Sequence, residues 1–162
     1  MVQVITPRMT HQHEGELVVF LIGMRINQPW RPDLWLPVFT EMPKMLAELS
    51  ADPESGLLGY RLTFGLRGPW LVQYWDSHQK LYDYASRPDV AHRPAWTRFN
   101  QRARKAPGTV GIWHETFTVD RAESVYVAMP TSGLAKATAA VPVAHRGDRA
   151  AERLSRGAAT KG

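Results

Sequence analysis

Two of the six histidines stand where a side chain could move a proton or hold iron. His114 lies inside an apolar run between Trp113 and Glu115. Imidazole exchanges its proton near neutral pH without help from its surroundings, which makes His114 the candidate proton shuttle. The plainer reading is a strand histidine satisfied by a backbone group. His92 falls near the start of a helical stretch, above Ala95 and Trp96. A histidine beside an apolar pocket is a candidate axial ligand for haem iron, though a helix start can carry histidine with no chemical purpose. His78 belongs to the first turn of another helix and is expected to be solvated. His11 and His13 form a His-x-His fragment in a polar segment, and two such ligands do not complete a metal site. No nucleophile elbow, phosphate loop or dinucleotide fingerprint accompanies them, so the usual hydrolase chemistries have no support.

These residues need elements to position them. Leu17–Asn27 reads as a central strand, apolar on both faces at its start. Val18, Phe20, Ile22, Met24 and Ile26 share one face, while the other ends in Gly23, Arg25 and Asn27. A proline-marked turn leads to a helix over roughly 33–50, its apolar residues at three- and four-residue steps, with a kink expected at Pro43. Leu57–Gly65 is the second strand, with Tyr60 on one side and Arg61 on the other. The Leu66–Pro69 turn leads to a third strand, Trp70–Trp75. Ser77 caps a helix through Ser86, and Asp89 caps a further helix over 90–104. Thr109–Val119 is the last strong strand, and Glu123–Met129 predicts an extra one. The order is βαββαβ, the split βαβ pattern of a ferredoxin-like α+β fold with an antiparallel sheet.

Composition bounds the rest. The 162 residues suit one domain, and 44% apolar content suffices for a core. The absence of cysteine excludes disulfides and thiolate metal sites. The longest apolar run, Leu17–Met24, is one strand long, and the first residues lack a secretory pattern. A cytoplasmic protein with no membrane segment is therefore expected. The net charge is +5, but five basic and two acidic residues fall between His145 and Gly162. The remaining chain lacks the broad basic footprint of a nucleic-acid binder. Three segments follow: a flexible arm over 1–15, a folded domain over 16–134 and a disordered basic tail over 135–162, whose few large apolar residues give it little to bury.

In this topology helices cover one sheet face. The other, largely apolar, calls for a partner, and two copies stacked sheet to sheet provide one. That open face is expected to carry Arg25, Asn27, Arg61, Gln73, Trp75, His114 and Thr116 into a dimer-enclosed chamber. An apolar pocket with a few converging polar groups is the common form of a small-ligand site. Interface hydrogen bonding is the alternative role for each of these residues.

Several stretches carry a family resemblance. Val18–Asn27, Ser55–Arg61, Leu71–Ser77 and the helix ending near His92 resemble the dimeric α+β barrel superfamily, in particular its antibiotic-biosynthesis-monooxygenase-like members. Leu21–Asn27, Ser55–Tyr60, Ala95–Asn100, Gly111–Thr116 and Met129-Pro130 resemble, more narrowly, a bacterial and fungal family of unassigned domains. Its members are described as monooxygenase-like or as relatives of phenylacetaldoxime dehydratase. The resemblance covers roughly residues 16–134 and implies a homodimeric oxidoreductase acting on a small hydrophobic, aromatic or polyketide-like molecule with no required cofactor. In that reading His114, Asn27 and Arg25 are catalytic. Arg61, Gln73, Trp75, Trp113, Tyr60 and Trp96 bind substrate. The alternatives are a haem b protein with His92 as ligand, similar to aldoxime dehydratases, and a non-catalytic small-ligand binder. Haem degraders of the superfamily carry an asparagine, a tryptophan and a histidine. Asn27 matches the first, Tyr84 replaces the second, and His92 lies about a turn short of the third. Haem degradation is thus disfavoured while haem binding stays open.

Overall fold

Alternation in the strands and helical spacing between them produce a four-stranded antiparallel sheet with helices on one face, seen in a computed structural model that describes residues 3–89 and 91–156. The elements are β1 (Met9–Gln12), β2 (Val18–Ile26), α1 (Pro32–Phe39), α2 (Glu41–Ala51), β3 (Leu57–Gly65) and β4 (Gly68–Trp75). They continue with α3 (His78–Ser86), α4 (His92–Lys105), β5 (Val110–Thr118), α5 (Gly133–Ala137), β6 (Ala139–Pro142) and α6 (Ala150–Ser155). The main sheet has the order β3-β4-β2-β5, so β2 is central as its two-sided apolar sequence requires. Residues 18–118 thus form the expected ferredoxin-like βαββαβ unit.

Local chemistry accounts for the boundaries. The expected single helix over 33–50 is two, broken at Thr40. A proline in the first helical turn costs no used amide, and restarting the helix at Glu41 places Pro43 there, while Pro37 lies inside the short α1. The Ser77 hydroxyl accepts the amide of Lys80 at 3.2 Å, the expected N-cap of α3. Among the described residues Asp89 caps no helix; it pairs with Arg87 at 2.7 Å, and α4 begins at His92. The β3–β4 turn needs Gly68, whose φ is +141° and whose absent side chain would meet the Met24 carbonyl oxygen at 2.5 Å. Val18, Leu49, Trp75 and Leu81 form the buried centre, where the Trp75 indole donates to Gln73 Oε1 at 3.0 Å.

The ends of the chain correct the sequence reading. The arm is not loose: β1 pairs with β6 in a second, two-stranded sheet, and the described part of the tail is folded through Arg156. Residues 157–162 lie outside the described residues. The extra strand expected over 123–129 is not a strand; it makes two isolated antiparallel bridges, Ile5 to Met129 and Met9 to Tyr126. Beside the buried Ala135 and Val143, this region buries charged side chains. Arg153 is buried and pairs with Glu123, and Arg146 is buried beside His11. From this clasp α5 reaches the sheet face opposite the main helices. A side chain at Gly59 would stand 2.9 Å from Ala137 Cβ, so the glycine sets that close approach. Among the described residues no helix is long and apolar enough to cross a membrane.

Candidate active site

Phe20, Ile22 and Met24 lie on the helix-covered face of β2, and the register extends that face across the sheet. Phe20 pairs with Gln73 and Thr116, Ile22 with Leu71 and His114. Between this face and the helices lies a cavity of about 430 Å3, walled by one chain alone. Its floor includes Phe20, Ile22, Leu71 and His114; Met42 and Met45 of α2 and Trp96 and Phe99 of α4 form the roof. The size and apolar lining suit one small organic molecule.

Two imidazoles enter this chamber. His92, the first residue of α4, is held through Nδ1, 3.0 Å from the Ala85 carbonyl oxygen. A carbonyl accepts only, so Nδ1 carries the proton and Nε2 keeps its lone pair. Burial is the largest influence on its pKa and lowers it; the Ala85 bond acts the other way, and the charge of His114 lowers it further. His92 is therefore a neutral base at neutral pH. Glu48 braces the turn that places it, accepting from the Tyr84 hydroxyl at 3.1 Å and the Ala91 amide at 2.9 Å. The Tyr84 ring lies 6.1 Å from that of His92. His114 packs its ring 5.6 Å from Phe20.

The expected convergence on the open face does not occur. Gln73, Trp75, His114 and Thr116 share the helix-covered face, because they lie in register with Val18, Phe20 and Ile22. Only His114 and Thr116 of these reach the cavity; Gln73 and Trp75 bond each other in the core. Trp96 and His92 line the cavity as well. Tyr60 lies in register with Gln73 on the edge strand, exposed and away from the cavity. Arg25, Arg61 and Trp113 belong to the opposite face, where Trp113 lies over Gly23, 6.4 Å from Trp70. Asn27 accepts from Arg25 Nε at 2.9 Å and donates to the Gly108 carbonyl at 3.0 Å, a loop clamp outside the cavity. Sequence reasoning missed Glu41 and Arg102, both in the lining. Arg102 was legible as the residue that continues the Ala95–Phe99 side of its helix. Among the described residues no three His, Asp or Glu side chains stand together as a metal site.

A family model described as "Monooxygenase af470-like" matches residues 17–134. The chain belongs to the monooxygenase af470-like family. The match contains the main sheet, α1 to α4 and every wall of the cavity, and leaves out β1, β6 and α6. Monooxygenase af470 of Aspergillus fumigatus is 32% identical over 133 residues, which are 73% of this chain and 46% of that protein. The chain thus spans less than half the length of this curated family member. Among solved structures, SnoaB, a cofactor-independent oxygenase from Streptomyces nogalater, is 13% identical with a TM-score of 0.46, covering 65% of this chain and 94% of that one. A dimeric ferredoxin-like protein of unknown function from Thermobifida fusca is 22% identical with a TM-score of 0.44, covering 67% and 100%.

Proposed function

We propose that the protein is an oxygenase whose substrate is a small aromatic or polyketide-like molecule bound between the sheet and its own helices, in a cytoplasmic setting. The observation that carries this reading is a histidine held through Nδ1 by the Ala85 carbonyl, in the wall of an apolar cavity that also holds His114. Membership of the monooxygenase af470-like family supports the reaction class. His92 takes a proton from an activated ring methylene or phenol, leaving an electron-rich anion that reduces dioxygen directly. Overall, a ring methylene and one dioxygen become a ring carbonyl and one water, so the substrate supplies all four electrons that dioxygen takes up and no cofactor is required. The apolar walls hold the two reactants together and exclude water from the peroxide formed between them. Arg25 and Asn27, outside the cavity, have no part in this mechanism. The test is oxygen uptake over a panel of hydroxylated naphthalenes and anthrones, with one carbonyl formed per dioxygen consumed. No uptake above that of heat-denatured protein across the panel would remove the oxygenase reading and leave a binder.

Haem is the second reading, and one observation favours it. Iron-bound histidines commonly donate their other ring N–H to a carbonyl, as His92 does to Ala85. Haem so held would supply the Lewis-acid and redox chemistry of an aldoxime dehydratase-like lyase. Added haemin should then shift its Soret band, and His92→Ala should abolish the shift; an unshifted band with the native protein ends this reading.

The homodimer belongs to the same proposal. On the open face Trp113 is 38% and Phe117 49% exposed, and α5 packs over the part near Gly59 and Tyr74. Two copies meeting through β2 and β5 would bury these rings. Sedimentation is expected to give twice the chain mass, and Trp113→Glu to give monomers; a native monomer at micromolar concentration contradicts this.

A further inference from the structure

Among the described residues the cavity wall holds one arginine with no ion-pair partner, and the geometry points to this residue, Arg102, as an anchor for an acidic group on an aromatic ligand. The inference rests on the cavity being a ligand site, as proposed above, and goes on to name the ligand's chemistry. Helix α4 presents Ala95, Trp96 and Phe99 to the cavity, and Arg102 follows three residues later on the same side. Apart from the histidines, the charged groups in the lining are Glu41 and Arg102. Glu41 is already matched, by Arg98 at 2.9 Å and Lys44 at 3.9 Å. Arg102 makes no ion pair among the described residues. The C-terminal dipole of α4 does not account for it, because the exposed Arg104 and Lys105 of the same turn already supply positive charge there.

A guanidinium at the edge of an apolar chamber attracts an anion more strongly than one in bulk water, and its planar fork matches a carboxylate. Ten residues of helix separate Arg102 from His92, about 15 Å along the axis. The fitting ligand is therefore an elongated, fused-ring molecule with a carboxylate or acidic phenol at the end remote from His92. The acid would fix the ring system lengthwise and so select which ring carbon reaches the imidazoles.

The test uses two fluorescent probes that share their rings, anionic anilinonaphthalene sulfonate and neutral phenylnaphthylamine. The native protein should bind the anion about ten-fold more tightly than the neutral probe. Arg102→Met should erase that preference while leaving the neutral affinity in place, which also shows that the cavity is intact. Arg102→Lys should keep most of the preference. Ala95→Phe fills the cavity and should weaken both probes. If Ala95→Phe weakens both but Arg102→Met leaves the anion preference unchanged, the anchor is refuted and the ligand site stands. If Ala95→Phe affects neither probe, the ligand site itself falls.

Discussion

Lowering the pH from about 7 to about 4 is expected to loosen the clasp between the two ends of the chain, at a cost on the order of 3 kcal/mol from His11 alone. His11 is 3% exposed. Arg146 Nη1 donates to its carbonyl at 2.7 Å and lies 3.5 Å from its Nε2. A guanidinium has donors only, so Nε2 must face it with a lone pair, and Nδ1 carries the proton toward Ser124 Oγ at 2.8 Å. Protonating Nε2 would set N–H against N–H. Burial first, then the charges of Arg146 and His13, lower the His11 pKa from 6.5 to about 4; Glu123 acts weakly the other way and is paired with Arg153. In the unfolded chain His11 titrates near its ordinary value, so below it the unfolded state binds more protons. The contribution is therefore complete above 6.5 and is lost as the pH falls through about 4. Denaturant melts of the native protein and of His11→Asn, compared across this range, isolate the term from other titrating groups. The native protein should lose its advantage over the variant on acidification. Parallel curves would show that His11 is not the titrating group.

The same clasp explains where sequence reasoning stops. Composition after Ala135 offers few large apolar residues, and disorder was the reasonable expectation. The segment folds on hydrogen bonds instead: Arg153 to Glu123 and to the carbonyls of Gly147 and Asp148, Arg146 to His11 and Arg153. Such long-range polar pairing leaves no periodic trace. The strands were legible because alternation and turn residues are local. Even their faces were legible one at a time: Tyr60 and Leu62 against Arg61 in β3, and Phe20 and Ile22 against Arg25 in β2. What failed was relating one strand's faces to the next. Polar residues in β4 and β5 suggested the open face, whereas register places Gln73 and Thr116 beside Phe20. A face that holds a cavity keeps its polar chemistry inside, so polarity alone assigned His114 to the wrong side of the sheet. Asn27 differs again: at the strand end it donates to the Gly108 loop carbonyl and is not among the cavity's lining residues.

Replacing His92 with glutamine is expected to reduce turnover of the best ring substrate by about 100- to 10,000-fold, the usual contribution of a positioned base. Glutamine retains a donor for the Ala85 carbonyl but cannot take a proton, so a large loss separates proton transfer from positioning. The pH profile supplies the stricter test. A base must be neutral to act, and burial with the nearby His114 charge lowers the His92 pKa. The acid limb of kcat/KM should therefore lie below the ordinary imidazole value of 6.5. His114→Gln removes the repelling charge, so the acid limb should move upward even though a second proton carrier has been lost. Titration of the His92 ring by NMR reports the same shift without any substrate. If the imidazoles work as one relay, the double variant should be no slower than His92→Gln, since the effects of residues acting as a unit do not add. Multiplying losses would make them independent groups, and an unmoved His92 titration in His114→Gln would show that the two rings do not sense each other across the cavity.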